Sequence, residues 1–433
     1  MSRIAIKKSN NKFYLFIFLY AFFSPRFYNF FGSSGAIIVN GGIIFLLCFY
    51  FLLNNKNKIK FKNDNELLVF KIFAFTMIYY FISIAFSILF LSEVVVFRDY
   101  FEFHRPVLYL LIIIYAFNCL SYKEKISFFN KIINYVFWGG LFLSLNQHFR
   151  FFDIINFIYT KGHNISSGRL AVPGVNPYDL AFIFSFLFFV FFYRFIFDDN
   201  NKKLNIIKMM LSFIIIILTQ SRMVFGAFLL TLGIQLIIML IINKKIVKGI
   251  LPKWNFKIIL LGFLTTIFLG IIISFYQDSI GYLISGFERV FITGERLGPL
   301  EMRLDQFLYV FERSNNNPLL FFFGNGPSKA IMEYVESIYT YYFFRYGFIG
   351  FVVIFFIPYI ISLFYLFNLA IKLNYIKNKY KSLVYGLLAF MIFIPIASLG
   401  NNFTEQIRIS FLYNFILVLN IKLYYSLKVG DFN

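Results

Sequence analysis

The chain has 433 residues, of which 60% are hydrophobic and only 14% are charged. A soluble domain of this length needs a larger charged surface, so the composition excludes one. The formal net charge of +21 suggests nucleic-acid binding. However, the positive residues lie mainly in short segments between apolar runs, which is the positive-inside pattern of membrane proteins. We therefore expect an integral membrane protein that contacts membrane lipids and binds no nucleic acid.

Apolar runs recur along the whole chain. Because roughly 20 apolar residues cross a bilayer, these runs predict an all-α fold with about twelve transmembrane helices. We expect one integral membrane domain over residues 1–433, with outer loops at 147–176 and at 276–338, between spans nine and ten. The Lys-rich segments place both termini in the cytoplasm. The predicted spans lie near residues 13–31, 36–53, 67–91, 105–119, 127–146, 177–197, 204–219, 223–242, 258–275, 339–368, 383–399 and 409–424.

The positive residues on the two predicted sides of the membrane differ in kind. Arg3 is the only arginine in the predicted inner segments, which otherwise carry lysine. Topology requires only positive charge, so arginine on the outer side suggests bidentate binding of phosphate or carboxylate. The alternative is that these arginines reach lipid phosphates or pair with nearby acids. The outer arginines are Arg98, Arg105, Arg150, Arg169, Arg222, Arg289, Arg296, Arg303, Arg313 and Arg408.

One of these arginines interrupts a long apolar tract between Met209 and Ile242. The tract has Lys-rich flanks on both sides, so it must cross the membrane an even number of times. It therefore predicts a helical hairpin with Thr219-Gln220-Ser221-Arg222 at its outer tip. Lys208 extends the first arm by directing its side chain towards the inner surface. An arginine at the membrane boundary is a functional candidate, because its desolvation must be offset by a partner.

The larger outer loop contains an amphipathic stretch. Pro299 suits the first turn of a helix, and Glu301 suits its positive N-terminal end. Arg303 lies at the edge of an apolar stripe, and Gln306 and Arg313 continue round the helix from it. We expect a helix that lies in the membrane interface and presents Arg303 to a lipid-linked phosphate, although such a helix could also simply cap the bundle. The stripe consists of Leu300, Leu304, Phe307, Leu308 and Phe311.

Four stretches, taken in order, are similar to a known family. Thr219-x-Ser221-Arg222 before a long apolar run resembles the signature of the bacterial O-antigen polymerase and ligase superfamily. SSGRLAVPGVNPYDLAF (166–182), RLDQFLYVFERSNNNPLLFFFGNGP (303–327) and ESIYTYYFFRYGFIG (336–350) resemble that family's further motifs. The resemblance implies a GT-C-like glycosyltransferase of lipopolysaccharide biosynthesis in the bacterial inner membrane. Its donor and acceptor would be undecaprenyl-diphosphate-linked oligosaccharides at the periplasmic face, and a chain-length-determinant protein is a possible partner.

The resemblance implies a displacement at the anomeric carbon with the diphosphate as leaving group. Stabilising that charge is a task for arginines, so we expect Arg222 and Arg303 to bind the diphosphate, with Arg169 and Arg289 as further contacts. Arg296 is a weaker candidate. The outer segments lack an Asp-x-Asp pair and any His/Cys cluster with metal-ligand spacing, so we expect neither a metal nor another cofactor.

Proton transfer from the acceptor hydroxyl requires a base, for which Glu336 is the first candidate and His163 the second. Family ligases usually have His followed by Asn at this point, and Glu336-Ser337 here favours a polymerase over an O-antigen ligase. A lipid-linked-oligosaccharide flippase is a third alternative, although charges at the bilayer midplane and two similar halves would then be expected. Secondary site candidates are Arg345, Tyr339 and Asn176.

Overall fold

The computed structural model describes residues 2–32, 35–53, 64–91, 96, 99–100, 102–119, 124–160, 168–174, 176–198, 201–242, 298–374 and 380–428. Within these ranges every regular element is a helix, which confirms the predicted all-α class. The predicted span at 258–275 lies outside the described residues, as do the candidates His163, Arg289 and Arg296.

The helices are numbered here in chain order. Those of the first half are α1 (Ser2–Phe23), α2 (Tyr28–Phe31), α3 (Gly35–Leu53), α4 (Asp64–Leu91), α5 (His104–Cys119), α6 (Glu124–Phe149), α7 (Asp153–Tyr159) and α8 (Pro177–Phe197). Those of the second half are α9 (Lys202–Leu218), α10 (Arg222–Ile242), α11 (Gly298–Asn316), α12 (Pro318–Phe323), α13 (Ile338–Gly350), α14 (Ile357–Asn374), α15 (Lys381–Ala397) and α16 (Ile407–Lys428). A π-helical turn, Phe351–Phe356, joins α13 to α14, and a 3₁₀ turn, Phe403–Glu405, precedes α16.

The predicted spans within the described residues coincide with helices, apart from the first. We expected that span over 13–31, but α1 ends at Phe23 and a separate short helix, α2, follows it. Pro25 explains the difference, because proline lacks an amide hydrogen and disfavours helical geometry at the residue before it. The predicted loop 147–176 also contains helical structure, since α6 extends to Phe149 and α7 follows.

Among the described residues, four helical stretches are long and apolar enough to cross a membrane, namely Glu66–Leu89, Pro177–Phe197, Ile338–Leu373 and Ile407–Tyr425. Shorter apolar helices accompany them. The stretches at 177–197 and 407–425 are 83% and 94% buried within the protein, whereas those at 66–89 and 338–373 are each 44% buried. A helix that is apolar on all sides and buried on all sides belongs at the centre of a bundle. Helices α8 and α16 are therefore central, and α4 and α13–α14 are peripheral.

The bundle has two chemically distinct ends. At one end the Lys422 ammonium, near the end of α16, lies 2.7 Å from the Glu66 carboxylate near the start of α4. At the other end Arg105, at the start of α5, lies 2.9 Å from Glu405, just before α16. We call the second end, which also contains Arg222, the arginine-rich end. Helix ends that were predicted to share a side of the membrane thus contact each other.

The predicted break in the apolar tract is confirmed, since residues 219–221 form a turn between α9 and α10 in which Gln220 has a φ of +53°. The two arms of this hairpin do not form the expected tight pair, because α9 packs mainly against α8 and α10 mainly against α15. The expected orientation of Lys208 was wrong. Its side chain is buried, and its ammonium donates a hydrogen bond of 2.7 Å to the Asn134 side chain on α6. The amide satisfies the charge inside the bundle, so Lys208 joins α9 to α6 instead of reaching the inner surface.

A glycine pair fixes the entry of α13 into the bundle. Gly324 follows α12 and Gly347 lies within α13, with φ of +76° and +64°. The two backbones cross so closely that a Cβ atom on either glycine would lie 2.5 Å from the amide nitrogen of the other. Glycine tolerates both the left-handed backbone and the contact, so this crossing sets the direction of the 338–350 helix.

Gly324→Ala is expected to destabilise the fold by roughly 3 kcal/mol or more, because the methyl group meets main-chain atoms that cannot move aside. The measurement is the thermal unfolding midpoint of the purified protein in detergent. Gly226→Ala on α10 is the matched control, since no atom lies within 4 Å of the position its Cβ would take. Equal midpoints for the two variants would contradict the expected steric conflict.

Candidate functional site

Arg169 lies on the tip of the α9–α10 hairpin. Its guanidinium donates hydrogen bonds to the carbonyl oxygens of Thr219 and Gln220, at 3.3 and 3.4 Å, and the next residue bonds back through Leu170 N–H to Leu218 O at 3.2 Å. Gln147 holds the other side of the segment by donating to the Arg169 carbonyl at 2.8 Å. The structure therefore places Arg169 beside the turn that ends at Arg222, whose side chain is half-buried.

Helix α11 brings Arg303 to Glu336, two residues that the sequence places 33 positions apart. The Arg303 guanidinium lies 3.5 Å from a Glu336 carboxylate oxygen, with the two side chains 18% and 34% exposed. One helical turn further on, the Gln306 side chain donates to Tyr334 O and accepts from the Glu336 amide, both at 3.0 Å. This double amide contact fixes the main chain at Glu336 and leaves its carboxylate partly accessible.

A short turn after α15, residues 398–400, connects the hairpin tip to the segment that carries Glu336. The amide of Ile338 and the hydroxyl of Ser337 donate to Ser398 O, at 3.2 and 3.4 Å. Two residues later the same turn packs against α10, where a Cβ on Gly400 would lie 2.5 Å from the Met223 side chain. The turn thus packs between Met223 and Ile338. Arg169, Arg222, Arg303 and Glu336 are therefore brought to one end of the bundle.

Part of the exposed surface of α11 is apolar and uncovered in the part of the chain that the structure describes, and Glu301, Asp305 and Glu312 are exposed beside it. Leu304, Phe307, Leu308 and Phe311 are between 44% and 54% exposed. The opposite face, with Arg303 and Gln306, lies against the protein. An exposed apolar stripe bordered by charged residues is the arrangement of an amphipathic helix at a membrane interface.

Three secondary candidates have structural partners. The Tyr339 hydroxyl donates to Pro395 O at 2.9 Å, which joins α13 to α15. Asn176 precedes α8, and its carbonyl accepts from the Asp179 amide at 3.0 Å, as expected for a residue that shapes the helix entry. Arg345 is 2% exposed and donates to Met332 O at 2.8 Å. This burial places Arg345 beneath the surface on which the other arginines lie.

A second set of polar groups at this end was not anticipated from the sequence. Tyr178, the second residue of α8, lies within electrostatic range of Asp179, Glu405, Glu336 and Arg26. Its hydroxyl is buried and has no hydrogen-bond partner among the described residues. Charges of both signs therefore extend beneath Glu336 into the bundle. No motif or periodicity in the sequence marked this tyrosine as a site residue.

Arg408 was grouped with the outer arginines, and the structure gives it a packing role. Its guanidinium is 1% exposed and donates to the carbonyls of Phe22 and Ser24, at 2.7 and 2.5 Å. The last carbonyls of a helix lack intrahelical donors and carry partial negative charge, so a cation is favourable there. Arg408 therefore fixes the end of α1 against the start of α16.

A network of four charged side chains joins distant segments at the arginine-rich end. Glu102 accepts from Lys329 at 2.9 Å and from Arg105 at 3.0 Å, and Arg105 also binds Glu405 at 2.9 Å. Burial alone would raise the pKa of the Glu102 carboxyl, but the positive charges of Arg105 and Lys329 outweigh it and lower that pKa to about 2. The segment before α5, the loop after α12 and the turn before α16 are thereby held together.

The Glu102 network predicts loss of stability in acid. Because the pKa of Glu102 falls from 4.5 to about 2 on folding, its stabilisation is complete above pH 4.5 and is lost as the pH falls towards 2. We expect about 2 kcal/mol to be lost between pH 7 and pH 3. The unfolding midpoint in detergent should fall with pH less steeply for Glu102→Gln than for the wild type. Exposed Glu312 on α11 supplies the control, since Glu312→Gln should keep the wild-type slope.

Comparisons with protein-family models and with curated proteins find no match for this chain. Among the described residues, no group of three or more His, Cys, Asp or Glu side chains could hold one metal ion. The expectations of a metal-free reaction and of no cofactor stay predictions. The arrangement itself offers arginines at a hairpin tip, an arginine–carboxylate contact beside them and an apolar helix face in the same region. Such a set suits an anionic headgroup attached to an apolar chain.

Proposed function

We propose that the chain is an O-antigen polymerase, a membrane glycosyltransferase that joins undecaprenyl-diphosphate-linked oligosaccharide repeat units. The observation that carries the proposal is the Arg303–Glu336 contact at the same bundle end as Arg169 and Arg222. In the reaction, an acceptor hydroxyl oxygen bonds to the anomeric carbon of the donor sugar, and the bond from that carbon to the diphosphate oxygen breaks. The hydroxyl proton passes to a base, and the diphosphate leaves with the electron pair.

The membrane frame of this proposal has about twelve spans in a GT-C-like arrangement, with both termini in the cytoplasm. The arginine-rich end would then face the periplasm from the inner membrane. Lys422 and Lys208 lie towards the opposite half, which supports this direction because Lys-rich ends face the cytoplasm.

Arg169, Arg222 and Arg303 are the proposed diphosphate contacts. Two lie at the hairpin tip and the third on α11 at the same end of the bundle, and under this proposal they would approach one headgroup from two directions. Arginine suits this task because its planar guanidinium donates two parallel hydrogen bonds to phosphate oxygens and stays protonated. As the bond to the sugar breaks, charge grows on the diphosphate, and fixed donors stabilise that charge without reorganising.

Glu336 is the proposed base, and its contact with Arg303 suggests how the site is set. At 3.5 Å, with both side chains partly exposed, the ion pair is weak. An incoming diphosphate offers Arg303 more negative charge than one carboxylate does. Arg303 would then turn to the diphosphate and leave the Glu336 carboxylate free to accept the acceptor proton. The apolar face of α11 would hold this region at the depth of lipid headgroups.

Deletion of the gene tests the proposal through the cell's lipopolysaccharide. Loss of a polymerase leaves core that carries a single repeat unit. Bare core with polymer still on the lipid carrier would indicate the ligase alternative, and single lipid-linked units trapped on the inner face would indicate the flippase alternative. Unchanged lipopolysaccharide would exclude all three roles in its assembly.

A further inference from the structure

The segment 325–337 carries Glu336 and is bonded along its length. At its start, the Asn325 amide donates to Phe344 O at 2.7 Å. Further on, the Lys329 amide donates to a carboxylate oxygen of Asp99 at 2.9 Å. At its end, the Glu336 amide donates to Gln306 at 3.0 Å. These contacts come from elements that are far apart in sequence, so the segment is held at both ends by tertiary structure.

Arg345 holds the middle of the same segment. Its guanidinium donates to Met332 O at 2.8 Å and approaches Glu333 O at 3.5 Å. Glu333 lies three positions before Glu336. The rings of Tyr341 and Phe344 lie 5.8 and 5.5 Å from the Arg345 guanidinium. The side chain is 2% exposed, so a lipid-linked diphosphate at the surface cannot reach it without a rearrangement of this segment.

The burial of Arg345 is unfavourable for stability alone. A buried guanidinium loses its hydration, and neutral carbonyl acceptors offset that loss less well than a hydrogen-bonded carboxylate does. The Glu102 carboxylate attracts Arg345 electrostatically, but the described hydrogen bonds of Arg345 are to carbonyls. Its Nη1 atom has no hydrogen-bond partner among the described residues. A methionine would fill a similar volume without a desolvated charge. What methionine could not supply is the bond to Met332 O, which fixes the main chain just before the proposed base.

We infer that Arg345 is a positioning residue for Glu336: it fixes the 325–337 segment so that the carboxylate meets the acceptor hydroxyl. The inference rests on the proposed function and differs from a diphosphate-binding role for Arg345. A base must lie within hydrogen-bond distance of the proton it accepts, and a displacement of about 1 Å lowers a rate strongly. Glu336 meets this need with a fixed main chain and a side chain that is 34% exposed.

Arg345→Met tests the inference with two measurements on the purified full-length protein in detergent. Hydrogen exchange of the 326–338 peptide should be at least tenfold faster than in the wild type, because the middle of the segment is released. With lipid-linked repeat units isolated from cells that lack the gene, kcat should fall at least tenfold while the donor KM stays within twofold. Arg345→Lys keeps one donor to the carbonyl and should recover part of both effects.

Arg194→Met is the matched control, since Arg194 is a partly buried arginine at the opposite end that binds Asn130 at 2.9 Å. It should change neither the exchange of 326–338 nor kcat. Unchanged exchange in Arg345→Met would overturn the inference, and so would a raised donor KM with normal kcat, which indicates a ligand of the diphosphate. Absence of transfer by the wild type would instead overturn the proposed function, and the exchange result would still report whether Arg345 holds the segment.

Discussion

Arg303→Ala is expected to lower glycan transfer about 100-fold or more, since removal of one donor to a developing negative charge commonly costs that much. Arg303 has the geometry for this effect, because it lies on a fixed helix and its side chain is only 18% exposed. The donor loses one cationic contact to the leaving diphosphate, and the loss is largest when the bond to the sugar breaks. The measurement is the rate of polymer formation from isolated lipid-linked repeat units, normalised to the amount of inserted protein.

The same helix supplies a matched control for Arg303. Arg313 lies two to three turns further along α11 and donates to the Asn325 side chain at 2.8 Å. Arg303→Lys should lose about tenfold, because a lysine provides one point charge in place of a bidentate fork. Arg313→Lys keeps its charge and should stay within about twofold of the wild type. Equal rates for the two lysine variants would exclude a specific role of Arg303 in binding the diphosphate.

The helices of this chain could be predicted from sequence because their signal is local. An apolar run between Lys-rich flanks specifies a buried or lipid-facing helix without reference to its neighbours. The turn at residues 219–221 was predicted by the same rule, because Lys-rich segments on both sides of the tract require it to cross the membrane twice. The length of an apolar run does not always give the length of the helix. At the end of α1, Pro25 stops the helix inside an apolar stretch.

The candidate site was predictable where a motif or an amphipathic pattern marked it. Arg222 was recognised because it is a charged residue in an apolar tract. Arg303 was recognised because it lies at the edge of the apolar stripe of α11. The contact between Arg303 and Glu336 could not be predicted from the sequence, because no spacing rule relates a residue on a helix to one on a distant loop. The same holds for Lys329, whose partner Glu102 precedes it by more than 200 residues.

Partners that belong to the main chain are the hardest to anticipate. Arg345 was a secondary site candidate, and the described contacts of its guanidinium are to the carbonyls of residues 332 and 333. Every residue has a carbonyl, so such an acceptor leaves no mark in the sequence. Arg408 is a second case, because it binds the last carbonyls of α1. Arg345 and Arg408, at 2% and 1% exposure, thus anchor the main chain. Arg169 also bonds to carbonyls but is only half-buried, and its binding of a ligand stays a proposal.

Glu336→Gln is expected to lower kcat for glycan transfer at least 100-fold while the affinity for the donor changes little, because general-base catalysis commonly contributes that much. The substitution suits the question, since glutamine keeps an oxygen that can accept from Arg303 and keeps the side-chain volume. It removes the ability to take up a proton together with the negative charge. Steady-state rates with isolated lipid-linked repeat units give kcat, and binding of undecaprenyl diphosphate reports whether the donor site is intact.

Two further variants decide whether the base is correctly assigned. Glu333→Gln alters an exposed acid of the same segment and should stay within about threefold of the wild type, so a general effect of lost charge can be recognised. His163→Ala tests the competing candidate, which lies outside the described residues. If Glu336→Gln retains the wild-type kcat and His163→Ala loses it, the base is His163. The Arg303–Glu336 pair would then be an ion pair that orders α11 against the 334–336 segment. Of the proposed site, only the assignment of the arginines to the diphosphate would remain.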